Sequence, residues 1–218
     1  MNWGRVTGDW SVKPTIIVGA GRSLIGFDLA QLEGLGHVLA VNAAVHDLPF
    51  ADAVVSIDLA WPKLTETRRA LTAFDGEVYL GIPVDQPEDA AHYPDVTYLK
   101  RRRRCDGLSD DPTEIEAAGT SGHGALNVAY LKKAKHIFLF GFDYNGGGHY
   151  CQERYGHEKS PTQNDLYWPR WALNFDECLP QLYAAGVHVI NASPFSNIQA
   201  FPRCTPDEAI NILRGTSR

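Results

Sequence analysis

Ile137, Phe138, Leu139 and Phe140 are apolar at four consecutive positions and run directly into Gly141-Phe142-Asp143. A strand without a polar side must be buried on both faces, which is the environment of a parallel sheet sandwiched between helices. The run therefore predicts a strand near the centre of such a sheet. Other short apolar runs, at residues 15–18, 37–41, 53–57, 77–81, 96–99 and 187–191, bring the expected count to about seven strands. Between them lie segments with helical spacing, at 23–33, 62–74, 121–134 and 169–185. In the last of these, Trp171, Phe175, Cys178 and Leu182 recur at intervals of three and four, which is one helical face. Pro180 falls inside that pattern and predicts a kink or an early end.

A chain of 218 residues is long enough for one substantial α/β core and short for two. The net charge of −6 gives no global attraction for nucleic acid. Residues 1–14 hold no apolar run of the signal type, and no stretch approaches the length of a membrane span. Cys105, Cys151, Cys178 and Cys204 include no C-x-x-C pair, which argues against zinc and gives no disulfide framework. A cytoplasmic, reduced protein with no metal site is the expectation.

Two long stretches lack regular patterning. Residues 106–119 are acidic and turn-rich, and residues 145–167 open on Gly146-Gly147-Gly148. Loops of that length inside a compact domain are usually functional, so 145–167 reads as a lid. It carries His149, Tyr150, Arg154, Tyr155, His157, Lys159 and Tyr167, a mixture of proton-transfer groups and phosphate partners. A histidine near its ordinary pKa suits general-base work, and His157 is the leading candidate, ahead of His149.

Two glycine-bearing loops stand where strands give way to helices. Gly19-Ala20-Gly21-Arg22-Ser23-Leu24 has two glycines of a dinucleotide fingerprint and lacks the third. The strand at 37–41 is followed by Asn42 rather than by the acid that holds ribose hydroxyls. Gly119-Thr120-Ser121-Gly122 precedes the helix at 121–134, where small and hydroxyl residues suit either an anion or plain capping. Asp143 and Asp58 close two of the strands, each placed to contact a ribose, orient a base, hold a metal or cap a turn. Lys100, Arg101, Arg102, Arg103 and Arg104 form a cationic run. It reads as a solvated edge, or as an attractor of nucleic acid or another polyanion.

Taken in order, VGAGRSL, AVNAA, GTSGHGALNVAYLKKAKHIFLFGFDY and VINASPFSNIQAF resemble the motifs of bacterial lipooligosaccharide-type sialyltransferases. A G-x-G-P-S-L loop and the general fold are shared by the 6-hydroxymethylpterin pyrophosphokinase (MptE-like) proteins, which the chain also resembles. The resemblance implies a Rossmann-like α/β domain, single over residues 1–218, whose mostly parallel sheet has helices on both faces and a lid at about 145–167. It further implies a transferase that uses a nucleotide-sugar and no metal, passing the sugar to an acceptor hydroxyl. On this chain Gly19, Gly21, Arg22 and Ser23 would meet the donor phosphate. Asn42, Asp58, Thr120, Ser121 and Gly122 would line the rest of the donor. Asp143 would organise the site, His157 would be the base, and Tyr150 and Tyr155 would be phosphate partners. Ala20 and Arg22 stand where those sialyltransferases have asparagine and proline.

Three functions follow. The first is a sialyltransferase-like, nucleotide-sugar-dependent glycosyltransferase needing no cofactor. The second is a Mg-dependent pyrophosphokinase using Asp58 and Asp143. The third is a nucleotide-binding protein without catalysis.

Overall fold

The computed structural model describes residues 3–85, 95–102, 106–146, 148–150 and 161–216. Eight strands form one sheet: β1 (Thr15–Val18), β2 (His37–Val41), β3 (Ala53–Ser56), β4 (Glu77–Pro83), β5 (Val96–Arg102), β6 (Glu114–Glu116), β7 (His136–Phe140) and β8 (His188–Asn191). Their order is β6-β5-β4-β3-β2-β1-β7-β8, and every pairing is parallel. This is the Rossmann-like α/β architecture.

Alternate residues of each strand feed opposite faces, as the two-residue period of a strand requires. Ile17, Leu39, Val55, Ile137 and Leu139 enter one core with Leu126 and Phe175. Ile16, Val18, Val38, Val54, Phe138 and Phe140 enter the other, with Leu24, Ile210 and Leu213. The apolar run at 137–140 is thus buried on both faces as its composition demands, yet it lies next to the sheet edge and not at its centre. Only β8 stands outside it. Beyond β8, the segment that follows folds back: the Asn191 N–H donates to the Pro202 carbonyl (2.8 Å) and the Cys204 N–H to the Asn191 carbonyl (3.1 Å).

From β1 the chain adds strands in one direction as far as β6, then returns to place β7 on the other side of β1. Connections reverse direction between β1 and β7. At such a switch point the loops leaving the carboxyl ends of adjacent strands diverge, and a crevice opens.

The helices are α1 (Thr65–Thr72), α2 (Ser121–Leu131), α3 (Pro161–Leu173), α4 (Leu179–Ala184) and α5 (Pro206–Thr216). Several sequence expectations change. Residues 23–33 do not form one helix. Gly26 takes φ +80°, and Asp28 caps a fresh turn by accepting the Ala30 N–H (3.1 Å), so two short 3-10 turns replace it. The pattern at 169–185 is divided too: α3 ends at Leu173 and Pro180 lies in the first turn of α4, where its missing N–H does no harm. Phe175, Cys178 and Leu182 still point into the core.

Within 106–119, Glu114–Glu116 forms β6, and residues 161–167 of the expected lid belong to α3. The described part of the cationic run lies within the sheet, although Arg102 is exposed. Lys100, Arg101 and Arg102 belong to β5, between β4 and β6, and Arg102 pairs with Glu114 at 2.8 Å. Arg103 and Arg104 lie outside the described residues. Among the described residues no helix is long and apolar enough to cross a membrane.

Candidate functional site

The crevice at the switch point holds a cleft of about 780 Å³. It collects both glycine-bearing loops: Gly19, Ala20 and Gly21 after β1, and Thr120, Ser121 and Gly122 at the start of α2. Asn42, Asp58 and Asp143, from the ends of β2, β3 and β7, also line it. Five segments far apart in sequence therefore converge because parallel strands all release their loops at the same side of the sheet.

The loop after β1 is bound to β7 rather than opened toward the cleft. The Gly19 N–H donates to the Phe140 carbonyl (2.8 Å) and the Gly21 N–H to the Gly141 carbonyl (2.9 Å). Ser23 gives both of its donors to Asp143, the N–H at 2.8 Å and the hydroxyl at 2.5 Å. A carboxylate of the chain itself thus occupies the place where a phosphate would meet the Ser23 amide. The glycines are required by proximity. A Cβ on Gly21 would sit 2.6 Å from both the Gly141 carbonyl oxygen and Asp143 Cγ, and one on Gly19 would sit 2.8 Å from that same carbonyl. Arg22 is exposed and is not among the residues that line the cleft.

The start of α2 is arranged differently. Thr120 caps the helix by accepting the His123 N–H (3.2 Å), and its hydroxyl pairs with that of Tyr144 (2.9 Å). Tyr144 adopts φ 52° and is buried, and burial raises its hydroxyl above the ordinary tyrosine range. The Ser121 hydroxyl accepts the Ile57 N–H (3.1 Å), so its own proton is left to donate. Ser121 and Gly122 occupy the first turn, where helix amides have no partner within the helix and the helix dipole favours an anion.

On the opposite wall Asn42 takes φ 52°, and its Oδ1 is buried without a hydrogen-bond partner among the described residues. The same holds for Trp61 Nε1, on a side chain only 3% exposed. Both residues line the cleft. Buried polar atoms are nearly always satisfied in folded proteins, so an acceptor and a donor left unpartnered on two residues that line one cavity point to a ligand. Asp58 is exposed and accepts the Ala60 N–H (2.9 Å).

Of the lid, residues 145–146, 148–150 and 161–167 are described. His149 forms an antiparallel bridge with Gly21 and lines the cleft, and the Tyr150 N–H donates to the Ala20 carbonyl (2.9 Å). The Tyr150 hydroxyl goes to Asp47 (2.9 Å), away from the cleft lining. His157 and Tyr155 lie outside the described residues. Sequence patterning missed Trp168 and Trp171, which reach the cleft from α3 with their rings at right angles, 5.2 Å apart. Their three-residue spacing on one helix was the available signal, but it reads equally as core.

Beneath the cleft, His123 contacts Cys178 Sγ at 3.2 Å. Its Nδ1 lies 3.0 Å from the Glu116 carbonyl, which can only accept, so Nδ1 carries the proton and Nε2 accepts from the thiol. Burial pushes the imidazole down to about 4 and the thiol up to about 12. Both are neutral near pH 7, and the pair is core packing with no nucleophile in it. Burial also pushes the Glu116 carboxyl up to about 7.

Two solved glycosyltransferases share this fold. The MAf glycosyltransferase from Magnetospirillum magneticum AMB-1 superposes with a TM-score of 0.56 at 16% identity over 98% of this chain. The chain spans 39% of that protein's length. The sialyltransferase CstII from Campylobacter jejuni, solved with the substrate analogue cytidine-5'-monophosphate, superposes with a TM-score of 0.51 at 14% identity. That match covers 90% of this chain and 86% of CstII. No protein-family model matches the chain, and no curated protein does.

Proposed function

We propose that the cleft binds a nucleotide-sugar and that the protein is a glycosyltransferase. The observation that carries this is the meeting of the α2 N-terminus with the open polar atoms of Asn42 and Trp61 in one crevice. The fold neighbours, both glycosyltransferases, support the same reading.

The phosphate belongs at the start of α2, where Ser121 donates its hydroxyl and the first-turn amides face an anion. It does not belong on Gly19, Gly21 and Ser23, whose amides are already committed to β7 and Asp143. Asn42 Oδ1 accepts from the donor and Trp61 Nε1 donates to it. The acceptor hydroxyl oxygen attacks the anomeric carbon as the bond from that carbon to the nucleotide phosphate breaks. The phosphate leaves with the bonding electron pair, and a histidine takes the hydroxyl proton. His149 is placed for this at the cleft wall, and His157 remains the candidate from the undescribed part of the lid.

The Mg-dependent pyrophosphokinase finds no support in the donor set. Asp143 already accepts two bonds from Ser23 and Asp58 accepts a turn amide. Among the described residues no cluster of metal-ligating groups forms.

The test is a thermal-shift panel of CMP-, UDP-, GDP- and ADP-sugars and ATP, with and without Mg²⁺. One nucleotide-sugar at about 100 times its Kd should stabilise the fold by roughly 2.7 kcal/mol, and Mg²⁺ should add nothing. Stabilisation by ATP that needs Mg²⁺, with no response to any nucleotide-sugar, would overturn the proposal.

A further inference from the structure

Beside the main cleft a second cavity of about 360 Å³ opens between the end of β5 and α3. It shares Ile57, Arg101, Gly119 and Trp171 with the cleft, so a ligand in one reaches toward a ligand in the other. Tyr167, Arg170 and Asn174 complete its outer wall.

Two guanidinium groups line this cavity, and no carboxylate does among the described residues. Arg101 Nη1 donates to the Ile57 carbonyl (2.7 Å), which fixes the orientation of its planar fork at the strand end. Arg170 enters from α3 on the other side. The Tyr167 and Trp171 rings stack 5.6 Å apart at 20°, and both residues line the cavity. Trp171 is held where it is by close approach: a Cβ on Gly119 would lie 2.9 Å from its Nε1, and Gly119 has φ +87°. The Asn174 side-chain amide donates to the Ala118 carbonyl (2.9 Å), tying α3 to the loop that leads into α2.

An aromatic face takes the C–H face of a sugar ring, and paired arginines take a carboxylate or phosphate in forked geometry. We propose that this cavity is the acceptor subsite and that the acceptor is an acidic saccharide, one whose sugar carries a carboxylate or a phosphate. The assignment as acceptor subsite rests on the glycosyltransferase reading of the neighbouring cleft; the capacity to bind an acidic sugar does not.

The experiment is a titration followed by tryptophan emission. The probes are N-acetylneuraminic acid, glucuronic acid and glucose 6-phosphate, with glucose as the neutral comparison. The acidic sugars should give saturable changes and glucose none. Arg170→Ala, at an exposed helix position, should weaken the acidic sugars by about tenfold or more, and Arg170→Lys should weaken them less. A response to either anion supports the subsite, and the stronger of the two names the group. Equal binding of glucose, or unchanged affinity in Arg170→Ala, would overturn it. A CMP titration of the wild-type protein is run in parallel. Acidic sugars that bind while neither CMP nor any nucleotide-sugar of the thermal-shift panel does would overturn the glycosyltransferase reading and leave the acidic-sugar site standing.

Discussion

The bond pair between Ser23 and Asp143 is the most direct point at which to test how the first glycine loop is used. Ser23→Ala removes a hydroxyl that donates to Asp143 at 2.5 Å and lies 3.2 Å from the Ser193 hydroxyl. A hydrogen bond to a charged group contributes about 1.5–3 kcal/mol, and partial exposure at Ser23 lowers this to about 1–2 kcal/mol. Asp143→Ala removes the acceptor of both Ser23 donors and should cost about 2–4 kcal/mol. The two losses overlap. In the Asp143→Ala background, Ser23→Ala should cost little more, which gives a coupling of about 1–2 kcal/mol in a double-mutant cycle. Denaturant titration measures each corner, and for a chain of this size 1 kcal/mol moves Tm by about 2–4 °C. A coupling below about 0.5 kcal/mol would refute the reasoning, because independent sites add to within that margin. Ser23 would then be open to a ligand, and the phosphate would return to the loop after β1.

Four further outcomes are expected. Gly21→Ala forces a Cβ to within 2.6 Å of the Gly141 carbonyl and should destabilise by about 1–3 kcal/mol in thermal unfolding. Gly215→Ala in α5, with nothing within 4 Å, should instead stabilise by up to about 1 kcal/mol. His123 and Glu116 should oppose each other in acid. His123 titrates lower in the fold than unfolded, so as pH falls from 6.5 toward 4 the unfolded chain alone takes up that proton and roughly 3 kcal/mol is lost. Glu116 titrates higher in the fold, so between about 7 and its ordinary value the folded chain alone takes up a proton and stability rises with acid. Wild-type stability should therefore be nearly flat over that window and Glu116→Gln should fall steeply, as urea midpoints against pH will record; a flat Glu116→Gln profile contradicts the assignment. Lastly, the true base is expected to lose about 10²–10⁴ in kcat when replaced by alanine, so turnover of His149→Ala and His157→Ala under a donor–acceptor assay decides between them.

The sheet was largely legible from the sequence because a strand buried on both faces needs apolar residues at every position. The runs at 15–18 and 37–41 are the observed β1 and β2 with the same ends. Short or charged strands escape that rule. In β6 the flanking residues are Glu114 and Glu116, and in β5 the end is Lys100, Arg101 and Arg102, so neither looks buried in sequence. Some of their polar groups are satisfied across the fold: Arg102 pairs with Glu114, and the Glu116 amide donates to Asn127. The cleft was legible as far as its loops went, since glycine and small hydroxyl residues mark strand-to-helix turns. What those loops do with their donors was not. The partners of Gly21 and Ser23 lie 120 residues away for Ser23 and Asp143, and no local pattern records such a contact. Arg101 entered the cavity wall by the same route, as a strand residue whose direction only the register of β5 against β4 decides.

The fold-back of the segment after β8 has a consequence for the protein's behaviour at high concentration. A parallel sheet ends in strands whose outer amides and carbonyls invite pairing with another chain. Here Asn191 already trades backbone bonds with Pro202 and Cys204, and Arg203 bridges to it. At the other margin β6 is only three residues long. Among the described residues neither border offers more than a few residues of open ladder to a second molecule, which limits edge-to-edge pairing by a sheet rich in the residues most prone to it.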